Sequence, residues 1–428
     1  MQTIVPLTKD GRIFCTDATI PDYSSPLHPP VVIGCEYCGE KITLEVPRLV
    51  PVNSLGGLKI VYEKKCVIRF YCMEKNSDIT SQGNGSPENP FNHTKDAFDF
   101  IMCLKGRICA DYLQIYLYPD SDEIHLDEFL SYGQYQLKSG IPVIIGDFDS
   151  TTKIKARVSS SVVRTNEATS FLVGMDIKAS TESFGTFILY NCDMAVTRVS
   201  GISATAVDDI VNCRATGDIY GGRYIFGSTI YSNKIFNFKE IANSHIELAG
   251  DRHSTGIHLA DVISSSTIID KMGEYHDTYP TYCSADTILD SNFFITGRFL
   301  KIKTAIINST IEYNEPLSQY DRQTVVVAEK DIIISKSSIK ASCHFIVSSI
   351  NYSCFGLIGV SISDGGSYSI NNLSCSLTVT QNISNYYGHK YTCSAAVKGK
   401  GCITDCQIIA SGNVNSVSFA CSDIWYRF

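Results

Sequence analysis

The sequence predicts an all-β protein, a parallel β-helix solenoid in which short strands stack coil upon coil. Two observations carry this prediction. A short phrase recurs along the chain: an apolar residue and Ile, two variable positions, then Ser, Asn or Cys before another apolar residue. From Ile188 to Ile403 its average spacing is roughly 21 residues, a period typical of solenoids. The phrase has no apolar stripe of helical period, so short strands joined by a tight bend fit it better.

The phrase is densest between residues 186 and 313, with further copies up to residue 408. Stacked coils lie about 4.8 Å apart, so equivalent residues stack on one another. The predicted interior ladder is Ile188, Ile210, Ile225, Ile241, Ile263, Ile288 and Ile306. The residues predicted at one bend, because Asn tolerates left-handed backbone, are Asn191, Asn212, Asn243 and Asn308. A β-sandwich is the alternative, but it gives no reason to repeat one phrase.

Residues 1–77 lack the phrase and are predicted to form a small β-rich domain. Cys35 and Cys38 make a CxxC within it. A zinc site would need a second pair of ligands, and buried thiols or a turn are the alternative. The remaining candidate ligands, none of them spaced as a pair, are Cys15, His28, Cys66 and Cys72. We therefore predict no metal site.

A loop and a capping helix are predicted at residues 78–108. Thr94 is placed as the N-cap, Asp96 lies in the first turn, and Phe98 and Ile101 share one face. Gly106 is expected to end the helix. A solenoid exposes the apolar end of its first coil, so a helix here has a covering role. The solenoid itself is predicted to occupy residues 109–428.

Three loops rich in tyrosine are predicted to interrupt the repeat, at residues 272–286, 312–323 and 382–393. Insertions in solenoids often form the binding face. Tyrosine offers a large rigid contact area and a hydroxyl for hydrogen bonding. The candidate glycan- or receptor-binding residues are Tyr275, Tyr279, Tyr282, Tyr320, Tyr386 and Tyr387. The alternative is that these side chains pack on the solenoid flank or on a partner subunit.

Composition narrows the classes of partner. The 428 residues carry a net charge of −8, and no basic stripe along the sequence offsets it, which argues against nucleic acid. The first residues have neither a basic nor an apolar run, so no signal peptide is predicted. No stretch reaches the roughly 20 apolar residues of a membrane span, so no membrane insertion is expected. We therefore interpret the 17 cysteines as mostly small buried hydrophobes in a protein assembled in a reducing cytoplasm.

Polysaccharide cleavage would require paired carboxylates on neighbouring coils. The densest polar cluster spans residues 247–277, and two aspartates lie upstream of it. The candidate catalytic residues are Asp208, Asp209, Asp251, His253 and Asp261. The alternative is an exposed bend at the upstream pair and a solvated ion-paired loop around Asp251. No cofactor motif is present, and no Ser-His-Asp, phosphate-loop or HExxH arrangement occurs.

The order of motifs from residue 83 onward gives a family resemblance. It consists of Gly83-x-Gly85 followed by Ser-Pro-Glu-Asn-Pro-Phe, the capping helix, the run Gln114-Ile-Tyr-Leu-Tyr-Pro119, and the bend repeats. This order resembles the right-handed parallel β-helix proteins of the pectin-lyase-like group, above all phage tail spikes and tail fibres. The resemblance implies right-handed coils, a homotrimer, and attachment of residues 1–77 to other tail or capsid proteins of a virion.

A second resemblance concerns the polygalacturonase branch of that group. Its residues here would be Asn191, Asp193, Asp208, Asp209, His253, and Arg298 with Lys301 or Lys303. The chain departs from that branch because its histidine is not flanked by glycine. The gap from Asp193 to Asp208 is also shorter than a coil.

Three hypotheses about function follow. The favoured one is a structural virion protein, a tail fibre or spike that binds a host-surface receptor or glycan and is assembled in the host cytoplasm. The alternative is a tail-spike depolymerase, a glycoside hydrolase or lyase acting on that glycan. The third is a bacterial cytosolic or surface β-helix unrelated to phage. In each case we expect the apolar tail at residues 419–428 to cover the last coil or pack against a symmetry mate.

Overall fold

A computed structural model describes most of the chain. The described residues are 12–15, 18–20, 31–33, 37–75, 83–104, 110–126, 142–158, 170–179, 187–196, 209–232, 235–249, 257–271, 282–296, 299–315, 322–328, 332–346, 354–360, 367–382, 392–393, 397–398, 400–404, 407–412, 416–417 and 424–426. They form an all-β protein dominated by parallel strand pairs. The chain divides into two compact units, residues 1–50 with 59–222 and residues 51–58 with 223–428.

The first unit holds one described helix and fifteen labelled strands. They are β1 Arg12–Cys15, β2 Ala18–Ile20, β3 Val31–Ile33, β4 Tyr37–Pro51, β5 Leu58–Cys72, α1 Thr94–Leu104, β6 Tyr112–Leu117, β7 Ile124–His125, β8 Val143–Ile145, β9 Ile154–Val158, β10 Ser170–Val173, β11 Met175–Ala179, β12 Phe187–Tyr190, β13 Asp193–Val196, β14 Asp209–Val211 and β15 Arg214–Thr216.

The remaining strands begin with β16, whose first residues fall in the first unit. They are β16 Ile219–Phe226, β17 Thr229–Ser232, β18 Ile235–Ala242, β19 His245–Ala249, β20 Ile257–Ser264, β21 Thr267–Lys271, β22 Tyr282–Leu289, β23 Asn292–Thr296, β24 Phe299–Ile307, β25 Thr310–Glu315, β26 Arg322–Ala328, β27 Ile332–Ile346, β28 Cys354–Val360, β29 Ser367–Asn382, β30 Thr392–Cys393, β31 Val397–Lys398, β32 Lys400–Thr404, β33 Gln407–Gly412, β34 Ser416–Val417 and β35 Ile424–Tyr426.

From β6 to β25, strands in both units pair in parallel with the second strand along the chain. In the first unit the even-numbered strands β6 to β14 form one parallel series, and the odd-numbered strands β7 to β15 form another. In the second unit the same rule joins β18 to β24 and β17 to β27. The chain therefore alternates between two parallel series.

Side chains alternate in and out along these strands, and the inward positions form the core. In the second unit Ile241 pairs with Ile263, Ile263 with Ile288, and Ile288 with Ile306, and all four are fully buried. The predicted ladder is confirmed there.

The ladder prediction was wrong by one residue in the first unit. Ile210 aligns with Leu189, whereas Ile188 aligns with Asp209 and is only half-buried. Two adjacent apolar residues made the inward position ambiguous in the sequence, because a slip of one residue turns a side chain to the other face.

From β12 to β25, a two-residue corner separates each even-numbered strand from the next odd-numbered strand, and an equivalent corner lies inside β27 at residues 336–337. The first corner residue adopts positive φ, as predicted for Asn191, Asn212, Asn243 and Asn308, with values from 49 to 52°. Ser265, Asp290 and Lys336 take the same conformation, at 47 to 51°. The second corner residue is small and buried. The prediction of a left-handed bend at Asn is confirmed, and Ser, Asp and Lys also occupy the first corner position.

The start of the parallel series is covered by an aromatic cluster. β5 pairs in parallel with β6, with Phe70 opposite Ile115. The ring of Phe100, on α1, lies 5.3 Å from the ring of Phe70 and 6.0 Å from that of Phe91. All three rings are buried. The helix begins at Thr94, and the carboxylate of Glu74 accepts hydrogen bonds from the Thr94 N–H and hydroxyl at 2.6 Å. The Ala97 N–H donates to the His93 carbonyl, so His93 is the N-cap, one residue before the predicted Thr94.

The attachment role of residues 1–77 stays a prediction. The structure adds that β5 is itself a member of the parallel pairing, so residues 67–72 begin the sheet that β6 continues. Within the described residues, no helix has the length and apolarity needed to cross a membrane.

Parts of the predicted loops are strands. Tyr282 begins β22, and Tyr313 lies on β25 with its side chain 3 % exposed. At the C-terminus, β35 adds to β32 as a parallel strand, with Gly401 opposite Ile424. On β25, Ile311 and Tyr313 alternate with polar residues, which is the pattern of a strand with one buried face. The tyrosine content alone did not distinguish a loop from this buried strand position.

Cysteines of the described region behave as the composition predicted. Cys72, Cys192, Cys213 and Cys283 are buried thiols, and Cys66 is a half-buried thiol. Cys35 lies outside the described residues, and nothing is described of the side chain of Cys38.

Candidate functional site

Three of the five candidate catalytic residues, Asp208, Asp251 and His253, lie outside the described residues. Asp209 is buried in the first unit and lines a narrow, partly open crevice with Arg48 and Tyr190. It therefore does not occupy the exposed bend that was the alternative reading of that position.

Asp261 lies in the second unit and is exposed. One carboxylate oxygen is 3.5 Å from Nε2 of His258, whose Nδ1 is 3.1 Å from the Ser284 hydroxyl. The Asp261 side chain is 59 % exposed, so water screens this pair and it contributes little. The described residues around it contain no second carboxylate within hydrogen-bonding distance of His258.

The residues that resemble the polygalacturonase pattern have other partners. Asp193 forms an ion pair with Lys153 at 2.8 Å, and Lys303 forms one with Asp286 at 2.9 Å. Arg298 lies outside the described residues. Among the residues that the structure describes, no group of three His, Cys, Asp or Glu side chains is placed to hold a metal ion.

Of the six candidate binding tyrosines, five lie outside the described residues: Tyr275, Tyr279, Tyr320, Tyr386 and Tyr387. Tyr282 lies on β22, where its backbone pairs with Phe299 on β24. Their part in recognition stays a prediction.

A different set of tyrosines forms a cluster in the first unit, which we call the tyrosine platform: Tyr71, Tyr116 and Tyr118. The rings of Tyr71 and Tyr116 lie 5.2 Å apart, those of Tyr116 and Tyr118 5.5 Å, and those of Tyr71 and Tyr118 5.9 Å. All three side chains are half-buried. Parallel register makes the cluster, because Tyr71 on β5 stands opposite Tyr116 on β6.

Charged and amide groups border the platform. The Arg69 guanidinium lies 4.9 Å above the Tyr116 ring, and its Nε donates to the Gln114 side-chain oxygen at 2.9 Å. Gln114 in turn donates to the Gly146 carbonyl at 2.7 Å. A second guanidinium nitrogen of Arg69 lies 3.7 Å from Asp147. Arg69 is thus held over the ring by an amide and a carboxylate.

The platform hydroxyls are also anchored. Tyr71 donates to Glu40 at 2.6 Å, and Tyr118 donates to the Pro87 carbonyl at 3.2 Å. Burial, followed by the hydrogen bond to Glu40, raises the pKa of Tyr71, and burial raises the pKa of Tyr118. Burial also raises the pKa of Asp147, and Arg69 opposes that shift. Both phenols therefore remain protonated donors at neutral pH.

This arrangement suits recognition better than chemistry. Half-buried aromatic faces accept the apolar C–H faces of a sugar ring, and a bordering guanidinium and carboxylates serve its hydroxyls. The platform has no nucleophile paired with a base. The sequence did not reveal it because Tyr71 and Tyr116 are 45 positions apart, and only strand register brings them together.

Comparisons with family models, with curated proteins and with solved structures found no match.

Proposed function

We propose that the chain folds as a right-handed parallel β-helix and serves as a tail fibre or spike of a phage virion that binds a host-surface glycan without cleaving it. The observation that carries the binding part is the tyrosine platform. Three half-buried rings within 6 Å of one another, beside an oriented guanidinium, form a surface of the kind that sugars contact.

The β-helix part rests on the alternation of two parallel series. From β6 to β25, strands pair in parallel with the second strand along the chain, and the first residue of the two-residue corners repeatedly takes positive φ. Closing every even and odd strand into one coil satisfies both facts with a single repeated unit. A sandwich of antiparallel strands would leave the repeated parallel register without an explanation.

The virion part rests on the resemblance drawn from the motif order, together with the predicted homotrimer and the attachment role of residues 1–77. Light scattering of the full chain at micromolar concentration tests the trimer, and a monomeric mass would count against it. Labelling of purified particles with an antibody against the chain tests the location, which we expect at the tail.

Glycan binding is tested on arrays of purified bacterial capsular and lipopolysaccharide glycans. We expect Tyr116→Ala to weaken binding by at least about tenfold, because a stacking face and the support of Arg69 are both lost. Tyr62→Ala is the matched control, since Tyr62 is 57 % exposed and lies outside the platform. Equal binding by both variants would remove the platform from the account.

The same experiment separates binding from cleavage. The bound polysaccharide is recovered and its chain length and reducing or unsaturated ends are measured. We expect no shortening. Shortening that disappears in Asp251→Ala would replace the binding function by the depolymerase alternative.

A further inference from the structure

Three side chains of the second unit form a series of polar contacts on the outer face of β20 and β22. His258 and Asp261 lie on β20, and Ser284 lies on β22. Nδ1 of His258 lies 3.1 Å from the Ser284 hydroxyl, and Nε2 lies 3.5 Å from a carboxylate oxygen of Asp261. An imidazole between a hydroxyl and a carboxylate has the connectivity of a Ser-His-Asp triad, here with the two ring nitrogens exchanged.

A β-bulge places His258 and Asp261 on the same face of β20. Residues three apart on a regular strand point to opposite faces. The pairing of β20 with β22 shifts register between His258 and Ala260, so β20 holds one extra residue there. Leu259 and Ala260 are fully buried, whereas the flanking His258 and Asp261 face outward. Bulges are over-represented beside active sites, where they re-aim side chains, and this one brings the carboxylate to the imidazole.

Parallel register places Ser284 between the histidine and a lysine. His258 stands opposite Ser284, and Ser284 stands opposite Lys301 on β24. Cys283 and Ala285 are buried on the inner face, so the Ser284 side chain lies on the outer face. Ser284 is only 8 % exposed, so a narrow group reaches its hydroxyl more easily than a bulky one.

The geometry points to an acyl-transfer site in which Ser284 is the nucleophile and His258 the general base, acting on the ester of a small carboxylic acid. In the tautomer that directs Nε2–H to Asp261, Nδ1 accepts a hydrogen bond from the Ser284 hydroxyl, as a base must. The serine oxygen attacks the ester carbonyl carbon, its proton passes to Nδ1, and the carbonyl electron pair moves onto oxygen. The ester C–O bond then breaks, and the imidazolium gives its proton to the leaving alcohol.

Water completes the reaction. It attacks the acylated Ser284 while His258 takes its proton, and the serine oxygen leaves with that proton. The position of Lys301 beside Ser284 provides an ammonium group for the negative charge that develops on the ester oxygen. This hydrolysis leaves a polymer chain uncut, so it goes beyond the proposed glycan binding and does not depend on it.

A fluorophosphonate probe tests the nucleophile without any substitution, because it attaches to an activated serine with loss of fluoride. The full chain is incubated with the probe, and the modified peptide is identified by mass spectrometry. We expect the label on Ser284 and at least about tenfold slower labelling in His258→Gln. Absence of the label from Ser284, or equal labelling of other serines, would overturn the proposal.

Release of nitrophenolate from p-nitrophenyl acetate measures turnover. We expect kcat/KM to fall at least about tenfold in Ser284→Ala and in His258→Gln. His245→Gln is the matched control, because His245 lies 3.1 Å from the Glu247 carboxylate but forms no hydrogen bond with a described hydroxyl. It should keep the wild-type rate. Equal rates in the wild type and in Ser284→Ala would assign the reaction to imidazole alone and overturn the proposal.

Asp261 is a positioning residue, since it acts through His258. Asp261→Ala should lower kcat about three- to tenfold with KM unchanged, a modest effect because water screens the exposed carboxylate. Asp261→Glu should restore most of the rate by returning a carboxylate. Equal impairment of both variants would overturn the positioning role.

Discussion

The two units place different side chains at the second corner position. The first unit has cysteine thiols there, and the second unit has serine hydroxyls. In the first unit the Cys192 N–H donates to the Cys213 sulfur at 3.3 Å. In the second unit each serine N–H donates to the hydroxyl oxygen of the next corner serine at 3.1 to 3.2 Å. The serines that form this column are Ser228, Ser244, Ser266, Ser291, Ser309 and Ser337.

The corner side chains also donate to the carbonyl two residues earlier. The serine hydroxyls do so at 2.6 to 2.9 Å. The thiols of Cys213 and Cys192 do so at 3.1 and 3.4 Å. The corner thus requires a small buried group that both donates and accepts. Oxygen fulfils the two roles with stronger hydrogen bonds, and sulfur with weaker bonds but more apolar character.

The largest effect on stability is expected from removing one hydroxyl from the column of corner serines in the second unit. Ser291→Ala leaves the buried Ser266 N–H and the Leu289 carbonyl without the Ser291 hydroxyl. We expect a loss of about 1–3 kcal/mol in the free energy of unfolding, because an unsatisfied buried donor keeps its full desolvation penalty. Urea unfolding measures it. Ser338→Ala, outside the column, is the control and should stay within about 0.5 kcal/mol of the wild type.

A smaller loss of stability is expected from the equivalent change at the corner cysteines of the first unit. Cys213→Ala removes a weak acceptor from the Cys192 N–H and a weak donor from the Val211 carbonyl. We expect about 0.5–1.5 kcal/mol, less than for Ser291→Ala, since less hydrogen bonding is lost. Hydrogen exchange followed by mass spectrometry reports each column locally. A larger loss for the cysteine than for the serine would reverse the comparison.

A pH scan separates the units further, because the second contains a buried carboxylate near its corner. Glu240 accepts hydrogen bonds from the Gly57 N–H and from the Ser264 hydroxyl, and burial raises its pKa. A carboxyl with a raised folded-state pKa stabilises the fold below its ordinary pKa. That stability is lost as pH rises through the raised value.

Glu240→Gln should therefore remove this pH dependence, since a neutral amide oxygen still accepts both hydrogen bonds. We expect exchange protection of residues 235–249, corrected for the intrinsic exchange rate, to fall in the wild type as pH rises above the ordinary glutamate pKa of about 4.3, and to stay level in the variant. Buried amides of β11, in the first unit, serve as the internal reference. A fall of equal size in the variant would assign the pH dependence to another group.

The smallest effect concerns the first corner residue. Lys336 holds φ at 51°, a conformation that Asn adopts at four other corners and that costs most other residues about 1–2 kcal/mol. Lys336→Asn should stabilise the second unit by about 0.5–1 kcal/mol. The control Lys239→Asn, on β18 with ordinary φ, should give no gain. If Lys336→Asn also gives no gain in stability, the positive φ at this corner does not favour Asn over Lys.

The features that repeat along the chain could be predicted from the sequence. The side-chain clusters that depend on strand register could not. Asn191 and Asn243 could be placed at corners because each follows the same phrase. The one-residue error at Ile188 arose where two apolar residues are adjacent and the phrase fits either register.

The tyrosine platform was out of reach for a different reason. Tyr71 and Tyr116 become neighbours only through the parallel pairing of β5 with β6, because 45 positions separate them along the chain. The loop tyrosines, which the sequence did single out, stay a prediction.

A crystal structure of the chain tests the central claim, the vertical register of the two parallel series, most directly. The quantity to measure is the Cα separation along the column Ile241, Ile263, Ile288 and Ile306. We predict steps of about 4.8 Å with all four side chains inside one core. Placement of these isoleucines in separate layers, without a common column, would contradict the fold.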